Sequence, residues 1–280
     1  MWTMIDGMST GYGLGRTPQE YERLRAQARA WEAVTGRLLD RVGVPVGASV
    51  LDAGCGPGET MRLLAERVGP SGSVVGVDAD SALGAAAQEM LHGLGHGRCR
   101  VVAAEIRGDE PVAGGPYDVV FARLLLFHLP QRVAVLGRLW EGVAAGGVLV
   151  VQDYDLSVVG TAPPVPAVEA VNRLMVEAFE ALGCDVRVGT RLPALFAEAG
   201  VGVPDDSDVS GLVAPLGPAR MFLEQVVRGV LPAAVARGAV DVVRAERVLT
   251  GLAAEAERSP GLPVLAPLLV GAWKRRPVGG

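Results

Sequence analysis

From Thr17 the apolar positions of the chain fall at helical spacing, at Tyr21, Leu24, Ala28, Trp31, Leu38 and Leu39. Thr17, Pro18 and Glu20 supply a capping box at the start of that pattern. Gly36 is the expected break into two helices before Gly43. A short apolar run, Ala48 to Leu51, then ends in Asp52, passes through a glycine-rich turn and gives way to residues 59–68, with Met61, Leu64, Ala65 and Val68 on one helical face. The same rhythm recurs downstream: strands at 74–78, 100–103, 117–121 and after Gly146-Gly147, helices over 81–91 and from Leu129-Pro130 through Trp140, with glycine-rich loops between. Strands alternating with helices predict an α/β fold, a doubly wound, mostly parallel sheet covered on both faces. Right-handed crossovers place every parallel strand's carboxyl end on one rim.

Beyond Asp155 the rhythm breaks. Pro163, Pro164 and Pro166 read as a rigid linker, followed by helices over 168–182, 190–199, 219–237 and 240–257 and two last strands near 208–214 and 267–274. The organisation is thus a leader and helical lid (1–43), a core (44–155), and a helical insertion whose last two strands complete the same domain (156–280). Leu174, Met175, Ala178, Phe179, Met221, Phe222 and Val226 form apolar faces with no obvious partner in the sheet. They could roof a pocket, cover sheet faces or form a homodimer interface. Residues 1–15 lack periodicity and read as a loosely ordered tail.

Composition narrows the function. A formal charge of −5 and a pI near 5.3 give no general electrostatic footprint for nucleic acid. Cys55, Cys99 and Cys184 lack metal-ligand spacing and read as reduced thiols. The opening residues show no signal segment, and the longest apolar stretches are too short for a membrane span, so a cytoplasmic protein without membrane or metal is expected.

The turn at Gly54, Gly56 and Gly58 allows positive φ and close approach of a ligand to the backbone. A dinucleotide fingerprint fails at its third glycine: counting from Gly54 reaches Glu59, and counting from Gly56 reaches Met61. An acid there would also repel a pyrophosphate at the helix N-terminus. A phosphate loop needs a lysine after its last glycine, and the only lysine is Lys274.

The stretch Val50-Leu51-Asp52-Ala53-Gly54-Cys55-Gly56-Pro57-Gly58 closely resembles motif I of the class I S-adenosylmethionine (SAM) dependent methyltransferases. The resemblance continues through Val74–Asp78, Tyr117–Phe121 and Ala145–Val151. It implies a Rossmann-like, seven-stranded sheet with helical lid insertions. It also implies SAM as cofactor, S-adenosylhomocysteine as product and a small, apolar acceptor from cellular or specialised metabolism. On this reading Gly54 and Gly56 lie against the cofactor, Asp52 attracts its ammonium, and Asp78 accepts both ribose hydroxyls. Ala79 touches the adenine, Glu105 accepts from the adenine amino group, and Ile106 packs on the ring. Glu105 stands where the family usually has Asp. Arg123, in Phe121–Pro130, could pair with the cofactor carboxylate or an acidic substrate group.

The leader, Tyr12-Gly13-Leu14-Gly15 with Arg23 and Gln27, is similar to that of bacterial quinone-biosynthesis methyltransferases, where it folds over the cofactor. Tyr12 could then meet the sulfonium through its ring, or belong to a free tail. His128 is the first candidate for a general base and Asp153 the second, with Asp153 also the best candidate for substrate binding. A capping or packing role for His128 stays open. In-line displacement rewards positioning, so no strong base is required. The rivals are a protein of the same fold that cyclises or only binds its ligand and, less well matched, a nicotinamide oxidoreductase.

Overall fold

The computed structural model describes residues 17–112 and 114–279, the Gln19 side chain excepted. Tyr12 lies outside them. Two leader helices, α1 (Pro18–Ala30) and α2 (Glu32–Val42), precede β1 (Ser49–Ala53), α3 (Glu59–Val68), β2 (Ser73–Asp78), α4 (Ser81–Gly93), β3 (Cys99–Ala103) and β4 (Tyr117–Arg123). A 3-10 turn at Leu126–His128 leads into α5 (Arg132–Glu141) and β5 (Val143–Asp155). The remaining elements are β6 (Gly160–Thr161), α6 (Pro166–Ala181), α7 (Val188–Glu198), β7 (Asp206–Ser210), β8 (Val213–Pro215), α8 (Leu216–Ala236), α9 (Val242–Arg258), β9 (Pro263–Leu265) and β10 (Leu268–Arg275).

The seven-stranded sheet runs β3-β2-β1-β4-β5-β10-β7, parallel except for β10, which is antiparallel to both its neighbours. This is a Rossmann-like α/β fold. Alternate residues of the central strands feed two separate cores. Val50, Val119, Phe121, Val148 and Val150 join α2 and α3, while Leu51, Val120, Ala122, Leu149 and Val151 join α5 and α7. Strands buried on both faces have no polar side, which is why they read as near-continuous apolar runs.

Four boundaries differ from the sequence reading. The leader breaks at Trp31, not Gly36: Trp31 leaves helical geometry and is buried with its ring 5.9 Å from that of Tyr154, whereas Gly36 lies inside α2 with its carbonyl accepting from Arg67. The helix expected from Leu129-Pro130 begins at Arg132, because Pro130 favours an extended residue before it and Leu129 adopts φ −95°, ψ 121°. The single strand expected over 208–214 is two strands, β7 and β8, in different sheets. β8 pairs with β9, and β9 with β6, in a small antiparallel sheet that the sequence did not suggest. Pro166, assigned to a linker, opens α6 at its first turn, where a missing N–H costs nothing.

Close packing of α7 on β5 rests on Gly189, where an added Cβ would come within 2.6 Å of the Asp153 carbonyl oxygen and 2.9 Å of the Tyr154 carbonyl carbon. Backbone cannot yield as a side chain can. Thermal unfolding of Gly189→Ala is expected to show a loss of about 1–3 kcal/mol. Gly251→Ala on exposed α9, where a Cβ meets nothing within 4 Å, is expected to gain up to about 1 kcal/mol.

Candidate functional site

At the carboxyl ends of β1, β2 and β4 the chain diverges into loops, and there a cavity of about 520 Å³ opens. Its floor begins with the glycine turn. Gly54, Gly56 and Gly58 all have positive φ, at 73°, 50° and 81°. A Cβ on Gly58 would strike Ala87 at 2.9 Å, whereas one on Gly56 would meet nothing within 4 Å and would occupy open space. The turn is tied to the second strand: the Gly54 and Cys55 N–H groups donate to the Val77 carbonyl, and the Gly56 N–H donates to Asp78 Oδ2 at 2.8 Å. Asp78 Oδ1 accepts from the Asp80 N–H. Its carboxylate is thus held in a fixed plane at the cavity wall, with acceptor capacity for further donors.

Asp52 is buried at the same rim, and its Oδ2 has no hydrogen-bond partner among the described residues. Burial pushes its pKa up to about 7, opposed by the Arg123 charge and assisted by Asp78. Burial also holds the Arg123 guanidinium below its usual value. Arg123 donates to the Thr35 hydroxyl at 3.1 Å, and that hydroxyl donates to Gln152 Oε1 at 2.8 Å, so α2 fixes the arginine from above. An unpartnered carboxylate oxygen beside a buried cation and an ordered carboxylate fits a zwitterionic nucleoside such as the SAM implied by the sequence. Asp52 would meet the ammonium, Asp78 the ribose hydroxyls, and the open face of Gly56 would leave room for the chain between.

The structure gathers Gln27, Asp52, Gly54, Gly56, Asp78, Ala79, Glu105, Ile106, Arg123 and His128 on this one cavity. Glu105 stands at its exposed edge, 46% accessible, in an ion pair with Arg107 at 2.8 Å. His128, on the 3-10 turn, is pushed down to about 4 by burial and by Arg23, which leaves it neutral and only weakly basic. Its Nδ1 lies 3.9 Å from Cys184 Sγ.

Asp153 is not brought to the cavity. Strand alternation turns it to the α7 side, where its carboxylate accepts the Phe127 and Tyr154 N–H groups at 3.1 and 2.9 Å and anchors the 3-10 turn. Its neighbour Tyr154 takes the cavity position instead. The sequence reading singled out Asp153 and not Tyr154.

Helix α1 adds further wall residues. Tyr21 on α1 donates to Asp80 Oδ2 at 2.8 Å, and Gln27 donates to the Tyr154 hydroxyl at 2.9 Å, so α1 is pinned at both ends of the cavity. Arg23 is buried between them in a two-bond pair with Glu20 and donates to Gln27 Oε1. Leu124 adopts φ 54°, a strained conformation for a side chain of that size, and no residue type flagged it.

Residues 50–147 match the family model of a methyltransferase domain. This segment is similar to methyltransferase domains. The chain is similar to a trans-aconitate 2-methyltransferase of Variovorax paradoxus, 37% identical over 118 residues, which are 42% of this chain and 43% of that protein. The chain therefore spans less than half the length of this curated relative. Solved structures extend the likeness of fold beyond the domain. A candidate methyltransferase of Bacillus halodurans superposes with a TM-score of 0.58 at 14% identity, over 86% of this chain and 98% of that one. A candidate sarcosine dimethylglycine methyltransferase of Galdieria sulphuraria gives 0.54 at 13% identity, over 95% and 93%. No helix among the described residues is long and apolar enough to cross a membrane.

The buried Asp52 gives a pH test. Its folded-state pKa lies above the ordinary carboxylate value, so its contribution to stability is complete below about pH 4 and is lost as pH rises through about 7. Ligand-free wild type is expected to lose stability between pH 5 and pH 8, and Asp52→Asn to lose less, by on the order of 1–4 kcal/mol. Denaturant unfolding at the two pH values measures this; equal losses in both proteins would remove Asp52 as the source.

Proposed function

We propose that this protein transfers the methyl group of SAM to a small, predominantly apolar acceptor. The observation that carries the reading is the buried, unpartnered Asp52 Oδ2 beside Arg123 and the ordered Asp78 carboxylate, on a glycine turn open to the cavity. Its support from related proteins is the methyltransferase domain match and the likeness to a trans-aconitate 2-methyltransferase.

Bound SAM supplies an electrophilic methyl carbon on a sulfonium whose departure needs no proton. What the chain supplies is binding and exclusion of water. Asp52 and Asp78 orient the two ends of the nucleoside amino acid, and α1, pinned by Tyr21 and Gln27, covers it. Holding two reactants in line can remove much of the barrier by itself. His128, being neutral and weakly basic, contributes little proton removal at neutral pH.

The acceptor side of the cavity is built from the roof. Met175 and Phe179 on α6, Phe222, Leu223 and Val226 on α8, and Val264 on β9 present apolar surface. That lining favours an apolar body over a polycarboxylate. Of the two arginines at the wall, Arg23 is already paired with Glu20 and Arg123 faces Asp52.

Calorimetry with SAM, S-adenosylhomocysteine and NAD tests the reading. Both sulfur nucleosides are expected to bind and NAD not to. Asp78→Ala removes charge-assisted acceptor bonds, so nucleoside affinity is expected to fall at least about tenfold. Unchanged affinity in a folded variant would overturn the assignment of Asp78, and no binding of either nucleoside to wild type would overturn the function.

A further inference from the structure

The hydroxyl of Tyr154 is the polar group of the wall whose role remains open. Its oxygen accepts from Gln27 Nε2 at 2.9 Å, and its ring packs 5.9 Å from that of Trp31. A phenol oxygen has two lone pairs and one proton. Gln27 Nε2 is a donor only, so the phenol proton is not spent on it and is donated elsewhere. Gln27 Oε1 is already engaged by Arg23, and the ring of Tyr154 lines the cavity. Arg23 and Arg123 both lie within electrostatic reach of the hydroxyl, so the field at this point favours negative charge on whatever accepts its proton.

We propose that Tyr154 donates this hydrogen bond to an anionic oxygen of the methyl acceptor, so that the cavity selects an apolar molecule carrying one oxygen acid, such as a carboxylate. The proposal rests on the methyl-transfer reading above. An acid already ionised at neutral pH also explains how the site works without a strong base, since His128 is the one imidazole on this wall and is only weakly basic. The acceptor's oxygen forms a bond to the methyl carbon as the carbon–sulfur bond breaks, its electron pair passing to sulfur. A neutral ester and a neutral thioether result, and no proton moves. Tyr154 is here a positioning and specificity residue: it holds one carboxylate oxygen and leaves the other to attack.

The test uses octanoate, octan-1-ol and citrate as probes, titrated into protein saturated with S-adenosylhomocysteine. Wild type is expected to bind octanoate at least about tenfold more tightly than octan-1-ol, as one charge-assisted hydrogen bond allows. Citrate is expected to bind more weakly than octanoate. Tyr154→Phe is expected to abolish most of the preference for acid over alcohol. A merely structural tyrosine would change both affinities together and leave their ratio intact, which would overturn the proposal. So would equal binding of octanoate and octan-1-ol to wild type, or tighter binding of citrate. A tenfold loss of S-adenosylhomocysteine affinity in Tyr154→Phe would instead place the hydroxyl on the cofactor and also overturn it. All these outcomes are read after nucleoside binding to wild type has been seen, so they stand apart from failure of the methyl-transfer reading.

Discussion

Asp52 and Arg123 sit at the ends of neighbouring parallel strands, β1 and β4, where both have been taken out of water. Removing a charge from water costs several kcal/mol, and mutual attraction repays that only when geometry and hydrogen bonding are complete. Here they are not complete: burial still drives Asp52 toward its neutral form and Arg123 toward lower basicity, and one carboxylate oxygen has no partner among the described residues. The arrangement persists because everything near it is built to hold it. Thr35 and Gln152 secure the arginine, the backbone of the glycine turn secures Asp78, and α1 closes the outer side. A ligand carrying both signs supplies what this rim lacks, so the energy left unsatisfied in folding becomes available for binding.

How much of this could be read from the sequence follows from where local rules act. Gly54, Gly56 and Gly58 are required by positive φ, and an acid at the end of an apolar run marks a strand's rim, so the turn, Asp52 and Asp78 were legible from spacing and residue type. Asp153 and Tyr154 were not distinguishable in the same way. Which of two consecutive residues faces the cavity depends on strand parity, and β5 is apolar on both faces from Val148 to Val151, so parity leaves no trace in the pattern. The break at Trp31 was hidden for a related reason. It coincides with contacts to Tyr154 far along the chain, while the local breaker, Gly36, is tolerated inside α2.

The small sheet was invisible because none of its strands has a sequence signature of its own. β6 has two residues and β8 and β9 three each, below the length at which alternation can be seen. They pair only because distant parts of the chain are brought together above the cavity. The apolar faces of α6 and α8, which the sequence showed without partners, find them in this roof and in each other. Met221 is an exception, remaining 59% exposed.

The part of the roof that carries α8 enters and leaves the main sheet at one place. Ser210, the last residue of β7, lies opposite Leu269 near the start of β10, so the whole excursion through β8, α8, α9 and β9 is the loop of an antiparallel strand pair. Segments whose two ends lie side by side are the ones that tolerate insertion and exchange, since the scaffold does not register their length. A lineage could therefore replace residues 211–267 and acquire a new acceptor while the strand ends that hold the nucleoside stay untouched. Diversification of substrate range in such a chain is a matter of recombination at one doorway.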